Sequence, residues 1–273
     1  MQNARQVTSD TFILPSEVPS PGLGVLPVNA YVIKARQPVL VDTGLHQDAG
    51  PFMNELESVL DPQDLRWIYL THPDPDHVGS LSHVLARAPQ ALLVTTYLGF
   101  GTLSLFQEVA MDRIYFLNPG EELDVGDRRL KALRPPTFDS PATTGFLDEK
   151  SHTLFSADSF GAVLPETAEE AGDLDKDVLR SGQVLWTTVD SPWLHRMDKR
   201  ELAAGLDTIR GMAPERVLSG HLPPARSMTD WMLESLAAAS DAEEFVGPDQ
   251  AALEGMLAQM SGVDEHTLAG QSS

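Results

Sequence analysis

An α/β fold of sheets covered by helices is predicted for this 273-residue chain, and three observations predict it. Short apolar runs rich in β-branched residues recur along it, each closed by Gly, Pro or Asp, as strands usually are. Segments with helical periodicity lie between some of those runs. Hydrophobic residues make up 42% of the chain, enough at this length for a full core in one large layered domain or two small ones.

In chain order, the strand-like runs are NAYVIKA (29–35), PVLVDTG (38–44), RWIYLTH (66–72), ALLVTT (91–96), RIYFLN (113–118), RRLKAL (128–133), HTLFSAD (152–158) and RVLSGH (216–221). Helices are predicted at 48–60, where Asp48 can cap the start, at 80–88, and at 199–212 just before Pro214. Two hairpins are expected, one turning at Val125-Gly126-Asp127 and one at Glu149-Lys150. The acidic stretch from Pro165 to Leu179 has few large apolar residues and reads as an exposed loop or short surface helix. Beyond Asp241 there is one amphipathic candidate, 248–260, followed by a tail expected to fray. No internal repeat or low-complexity tract interrupts the chain.

Composition removes several chemistries. With no cysteine, disulfides, thiolate nucleophiles, cysteine-held zinc and iron–sulfur clusters are excluded. Any metal must be held by His, Asp, Glu, backbone or water. A net charge of −21 disfavours nucleic acid and anionic membrane faces as partners, and it favours solubility. No apolar run approaches the ~20 residues that cross a bilayer. The opening MQNARQVTSD lacks the apolar core of a secretory signal, so a cytoplasmic protein is expected.

One short stretch concentrates the chemistry: YLTHPDPDHVGS, Tyr69 to Ser80. A residue before proline is pushed to extended backbone angles, so His72 before Pro73 and Asp74 before Pro75 are both expected to be extended. Alternate side chains of an extended segment share a side. His72, Asp74 and Asp76 should therefore project together, with His77 at the turn into a helix that Asp76 or Ser80 can cap. Imidazole and carboxylates aimed from a rigid loop suit Zn, Mn or non-haem Fe.

The same stretch resembles the metal-binding signature of the metallo-β-lactamase superfamily, T-H-x-H-x-D-H. Other signposts follow in that family's order: NAYVI and VLVDTG like its opening hairpin, LFSADSFG like the strand with its metal-bridging aspartate, VLSGH like the strand ending in its last histidine. The resemblance spans roughly residues 30–224. It implies an αββα four-layer sandwich of two mixed β-sheets flanked by helices. Residues 1–240 would form this domain, and 241–273 a helical extension and tail. It also implies Asp158 as the bridging ligand, His221 as the last ligand, and Asp42 as a residue that orients the ligands. Two departures are visible. Asp74 stands where the motif has its second histidine, and a carboxylate there marks the oxygen-binding di-iron branch known from flavodiiron proteins. The histidine expected about twenty residues before Asp158 is absent, with none between His83 and His152. Asp139 is the nearest ligand-type residue, and it can replace that histidine, form a turn, or act behind the ligands.

The resemblance thus implies one ion on His72, Asp74, Asp158 and, if it ligates, Asp139, and a second on Asp76, His77, Asp158 and His221. Up to four carboxylates around two cations favour iron over zinc, with manganese as an alternative. Losing the histidine can also leave only the second position filled. His195, beside Trp193, is a candidate proton donor, and Asp76 a candidate catalytic carboxylate. His46 is placed near the mouth of the site or on a surface loop; His83, His152 and His266 carry no functional expectation. No G-x-S-x-G elbow, P-loop or dinucleotide fingerprint appears.

Three readings of function follow. The first is a di-iron protein that binds O₂ or performs small-molecule redox chemistry, without an FMN domain in this chain and therefore with a separate electron-donor protein. The second is a metal-dependent hydrolase of an ester, lactone, thioester or phosphodiester. The third is a non-catalytic sensor with a reduced metal site. The substrate is expected to be a small molecule, and a homodimer is the assembly considered.

Overall fold

The computed structural model describes residues 1–258, so Gln259, Met260 and the tail with His266 lie outside the described residues. The chain divides into a unit of Met1–Glu243 and a second beginning at Glu244. In the second, residues 250–258 are helical, and the Asp249 carboxylate accepts from the backbone of Ala252.

The first unit holds two mixed sheets. The seven-stranded sheet runs in chain order: β1 (Arg5–Gln6), β2 (Thr11–Ser20), β3 (Gly24–Ile33), β4 (Val39–Val41), β5 (Trp67–Tyr69), β6 (Leu92–Thr95) and β7 (Ile114–Phe116). It is antiparallel as far as β4 and parallel from β4 to β7. The six-stranded sheet contains β8 (Glu122–Asp124), β9 (Arg129–Leu133), β10 (Gly145–Asp148), β11 (Thr153–Phe155), β12 (Arg216–Leu218) and β13 (Ala225–Arg226). There only β11 and β12 run parallel. Both expected hairpins form, at residues 125–128 and 149–152.

Alternation sorts the side chains into three apolar layers. Tyr31, Val41, Tyr69, Phe146 and Phe155 fill the space between the sheets. On the outer face of the first sheet, Leu40, Ile68 and Leu93 meet Phe52 and Leu56 of α1 (Ala49–Val59) and Val84 of α3 (Leu81–Arg87), with the single turn α2 (Pro75–Val78) between those helices. The outer face of the second sheet is covered by α5 (Lys176–Asp190), α6 (Lys199–Met212) and α7 (Thr229–Ala239); α4 (Tyr97–Leu103) follows β6. The result is the four-layer αββα sandwich. No helix among the described residues is long and apolar enough to cross a membrane.

All eight strand-like runs are strands, but β2, α4, α5 and α7 were not legible as elements. Pro15 and Pro19 hide β2, since proline argues against a paired strand. Pro15 faces Asn29, whose own N–H turns away to the Gly220 carbonyl. The N–H that Pro15 lacks would thus point away from β3, and no ladder bond is lost. Helix α5 is rich in Val and Thr and contains Gly182, all poor helix formers. Gly182 is required there, because a Cβ would meet the Val163 carbonyl oxygen at 2.2 Å. The acidic 165–179 stretch is accordingly less superficial than expected: Ala171 is fully buried, and Asp175 caps α5 through Asp177 and Val178.

The expected caps are corrected. Asp48 sits at the start of α1, but its carboxylate accepts from the Ser16 hydroxyl instead. Neither Asp76 nor Ser80 caps a helix with its side chain: Asp76 lies inside α2, preceded by an extended Asp74. Pro75 pre-sets the first helical position, which leaves both carboxylates free of capping duty.

Candidate metal centre

Chain direction concentrates the functional residues at one end of both sheets. Asp42 follows β4, Thr71 and His72 follow β5, Asp158 follows β11, and His221 follows β12. These are the carboxyl ends of parallel strands, where backbone groups leave the ladders and ligands commonly bind. The loop 134–144 enters from the same end, ahead of β10. Ala157 and Phe160, on either side of Asp158, are held in the left-handed region (φ 50° and 68°), a cost that persists where surrounding structure enforces it.

At the centre lies Asp158. Its Oδ2 is 3.2 Å from His72 Nε2, while its Oδ1 is 3.1 Å from His77 Nε2 and 3.3 Å from His221 Nε2. Each ring is fixed through its other nitrogen. His77 Nδ1–H donates to Asp42 Oδ2 at 2.9 Å, and His221 Nδ1–H to the Pro27 carbonyl at 2.7 Å. The Thr71 hydroxyl donates to Asp42 Oδ2, so its oxygen accepts from His72 Nδ1–H at 3.1 Å. Asp42 therefore sets two of the three tautomers, and all three Nε2 lone pairs face inward. Such partners are what orient metal-binding imidazoles.

The motif's ligands divide rather than converge. His72, Asp74 and Asp139 bring one atom each within 4.8 Å of one another, and so do Asp76, His77 and His221. The helical start at Pro75 rotates Asp76 away from Asp74, correcting the expectation that His72, Asp74 and Asp76 would aim at one point. Asp139 Oδ1 is 4.0 Å from His72 Nε2 and also accepts from the Thr143 hydroxyl. A further carboxylate, Asp190, joins Asp139 and Asp158 in a cluster of the same size. It was missed because α5 was not legible, and VDSP carries no ligand spacing.

His195 enters none of these clusters. Its turn is tied to the Asp139 loop by the Trp193 indole, which donates to the Phe138 carbonyl at 2.7 Å. His46 lines a separate cleft of about 300 Å³ with Pro73, Pro75 and Phe106. His83 lies on α3, and His152 sits at the second hairpin turn (φ 49°).

The donor set fits metal ions. His72 Nε2, His77 Nε2 and Asp158 Oδ1 are all buried and make no hydrogen bond among the described residues, although they face one another. Buried polar atoms are rarely left so. Without a cation, the charges rearrange. Burial disfavours a charged His72, but Asp158 outweighs it and lifts the pKa to about 9. Burial likewise opposes a charged His77, yet Asp158, Asp76 and Asp42 raise it well above its ordinary value, and His221 rises by the same balance. Burial would raise Asp158, but the three histidines hold it well below the usual range. Asp76 is lowered in the same manner, against burial, by His77 and His221. Asp74 is raised by burial, and Asp190 is pushed up to about 7 by burial and by Asp158 and Asp139.

A pH dependence follows. Raised histidine values stabilise the folded chain fully below the ordinary 6.5 and lose that contribution as pH climbs towards about 9. Asp190 works in the same direction between 3.8 and about 7. The lowered Asp158 contributes above 3.8 and is constant through neutrality. The metal-free protein is therefore expected to melt at lower temperature at pH 8.5 than at pH 6.5. The gain in Tm on anaerobic addition of Fe(II) should grow over that interval, because ligation needs neutral imidazoles. A metal-free Tm that rises from pH 6.5 to 8.5 would contradict this charge arrangement.

A model of the family described as ODP family beta lactamase matches residues 26–203. The chain belongs to the ODP beta-lactamase family.

This ODP-family chain is 30% identical over 165 residues to an uncharacterized protein of Methanocaldococcus jannaschii, covering 60% of the chain and 42% of that protein. It is 31% identical over 137 residues to a type A flavoprotein of Rhodobacter capsulatus, covering 49% and 32%. With the anaerobic nitric oxide reductase flavorubredoxin of Pectobacterium atrosepticum it shares 27% over 134 residues, covering 49% and 26%. The matches thus span less than half the length of each of these relatives. Among solved structures, rubredoxin oxygen:oxidoreductase of Desulfovibrio gigas superposes with a TM-score of 0.78 at 16% identity, covering 88% of this chain and 62% of that one. The flavodiiron protein of Giardia intestinalis gives 0.75 at 18%, covering 88% and 60%. These likenesses establish that the ODP-family chain has the metallo-β-lactamase-like fold of flavodiiron cores.

Proposed function

We propose that this ODP-family chain holds two iron ions and uses them to bind or reduce O₂ or a related small molecule such as nitric oxide. The observation that carries the reading is the placement of Asp158, one oxygen towards His72 and the other towards His77 and His221. His72, Asp74 and Asp139 would hold one ion, Asp76, His77 and His221 the other, with Asp158 shared. The names of relatives that reduce oxygen or nitric oxide support the choice of substrate. Bound there, iron would supply the reducing electrons.

The chain's own residues favour iron over zinc. Asp74, Asp76, Asp139 and Asp158 are four anionic oxygen donors, which balance two divalent ions and stabilise more highly charged states. Asp76 keeps its carboxylate ionised and is 28% exposed, so it faces the solvent side of the set as a ligand. His77 and His221 stay oriented by Asp42 and Pro27, and the buried rings keep bulk water from the inner side of the site.

Metal content per chain, measured by inductively coupled plasma mass spectrometry on protein purified without added metal or chelator, is expected to be two irons. The iron-loaded protein should then change its absorption on exposure to O₂ or nitric oxide. Iron-loaded protein with no spectral response to either gas would sink the redox reading. Two zincs with turnover of a generic ester would put the hydrolase in its place.

A further inference from the structure

Asp190 closes α5, and its surroundings tie it to the metal centre. Gln183, Trp186 and Asp190 recur at three- and four-residue intervals, which places them along one face of the helix. Gln183 donates to the Phe160 carbonyl at 3.0 Å. Trp186 donates to the Asp158 carbonyl at 3.1 Å and lies against the His221 ring, with centroids 4.7 Å apart. Gly161 makes this approach possible, since a Cβ there would come within 2.6 Å of the Trp186 ring. The face that bears Asp190 is therefore fastened to the backbone at Asp158 and two residues beyond it.

The Asp190 carboxylate is misplaced electrostatically unless a cation joins it. It stands at the negative end of a fifteen-residue helix, within 4.8 Å of ligand atoms of Asp139 and Asp158. Its hydrogen bond comes from the neighbouring Ser191 hydroxyl at 3.0 Å. On the other side of the same group His72 Nε2 is wholly buried, makes no hydrogen bond among the described residues, and lies 3.2 Å from Asp158 Oδ2 and 4.0 Å from Asp139 Oδ1. Asp139 and Asp158 thus link these atoms into one set, with the Asp190 carboxylate on one side and His72 Nε2 on the other. Residues 84–151 offer no histidine to complete it.

We propose that Asp190 is a metal ligand, supplying beside Asp74, Asp139 and the shared Asp158 a further oxygen donor for the ion on the His72 side. The proposal rests on the dinuclear reading above. It assigns the charge of α5's last residue to the metal rather than to the helix.

The test compares wild type, Asp190→Asn and Asp139→Asn by anaerobic Fe(II) titration, metal analysis and thermal melting with and without metal. Asparagine keeps the size of the side chain and its contact with Ser191. Asp190→Asn is expected to bind one iron tightly, with affinity for the second reduced about tenfold or more. Its metal-free Tm should rise, because repulsion among the carboxylates is relieved. Two irons bound with wild-type affinity would overturn the role of Asp190 and leave the dinuclear reading intact. A metal-free Tm lower than wild type would also overturn it, since that marks a structural side chain. A wild-type chain that itself binds one iron overturns both readings, because the His72 side then binds none.

Discussion

Asp158→Asn is expected to empty both metal positions. Among the described residues the carboxylate is the one side chain within 3.3 Å of all three imidazole Nε2 atoms, and it presents a different oxygen to each side. An amide offers one neutral oxygen and an NH₂ that cannot ligate. Loss of groups that merely support ligands costs about 10–100-fold in metal affinity, so loss of a shared charged ligand should exceed that range for each ion. The fold should survive. With Asp158 neutralised, burial loses its strongest opponent at His72, and that ring becomes neutral instead of remaining a buried cation. Histidine titrations by NMR should then show His72 falling from about 9 to below its ordinary 6.5. Retention of one full equivalent of iron would mean that Asp158 serves only one position.

The second large effect is at Asp42, and it separates stability from ligation. Its Oδ1 accepts from the Thr71 backbone at 2.8 Å, and its Oδ2 accepts from the Thr71 hydroxyl and from His77 Nδ1. Asp42→Ala leaves three buried donors without an acceptor, at about 1–3 kcal/mol each. It also places alanine at φ 56°, where a Cβ is strained. A loss of about 3–9 kcal/mol and a Tm lower by about 6 °C or more are expected. Asp42→Asn behaves differently, because asparagine tolerates the left-handed region and keeps an acceptor for Thr71. Its NH₂ then faces His77 Nδ1, which must accept, and the ring proton moves to Nε2. That nitrogen can no longer ligate. The variant should fold with a modest Tm change, lose the ion on the His77 side and bind the ion on the His72 side more weakly, because the Thr71 hydroxyl has lost the acceptor that fixed His72, with the changed tautomers visible in ¹⁵N spectra of the rings. Two irons bound by Asp42→Asn would show that His77 is not held as the geometry indicates.

Legibility differed between elements for identifiable reasons. Strands β3 to β7, β9, β11 and β12 carry short apolar runs, several of them rich in β-branched residues, bounded by turn residues, so local composition suffices to find them. Strand β2 was hidden by prolines whose missing N–H points away from its partner. Helix α5 was hidden by Gly182, which only a close approach to Val163 explains. The candidate site divides in the same way. His72, Asp74, Asp76 and His77 are adjacent in the chain and announce themselves by spacing, and Asp158 and His221 were found through resemblance of their surrounding strands. Asp190 carries no such mark, since its relation to the site exists only once α5 is packed across it.

By itself, then, the sequence determined the layered α/β character, the absence of cysteine chemistry, and the loop that must present imidazoles and carboxylates at a strand's end. These follow from local rules: hydrophobic alternation, proline's restriction of its neighbours, and the donor atoms each residue offers. Only the tertiary structure decided that Asp158 divides its two oxygens between two sets of histidines. It likewise decided that Asp42 fixes the tautomers of His72 and His77, and that Asp190 arrives from a distant helix. Those relations depend on which strand ends meet across the sandwich and how helices are fastened over them, and distance in space is set there by packing rather than by separation along the chain.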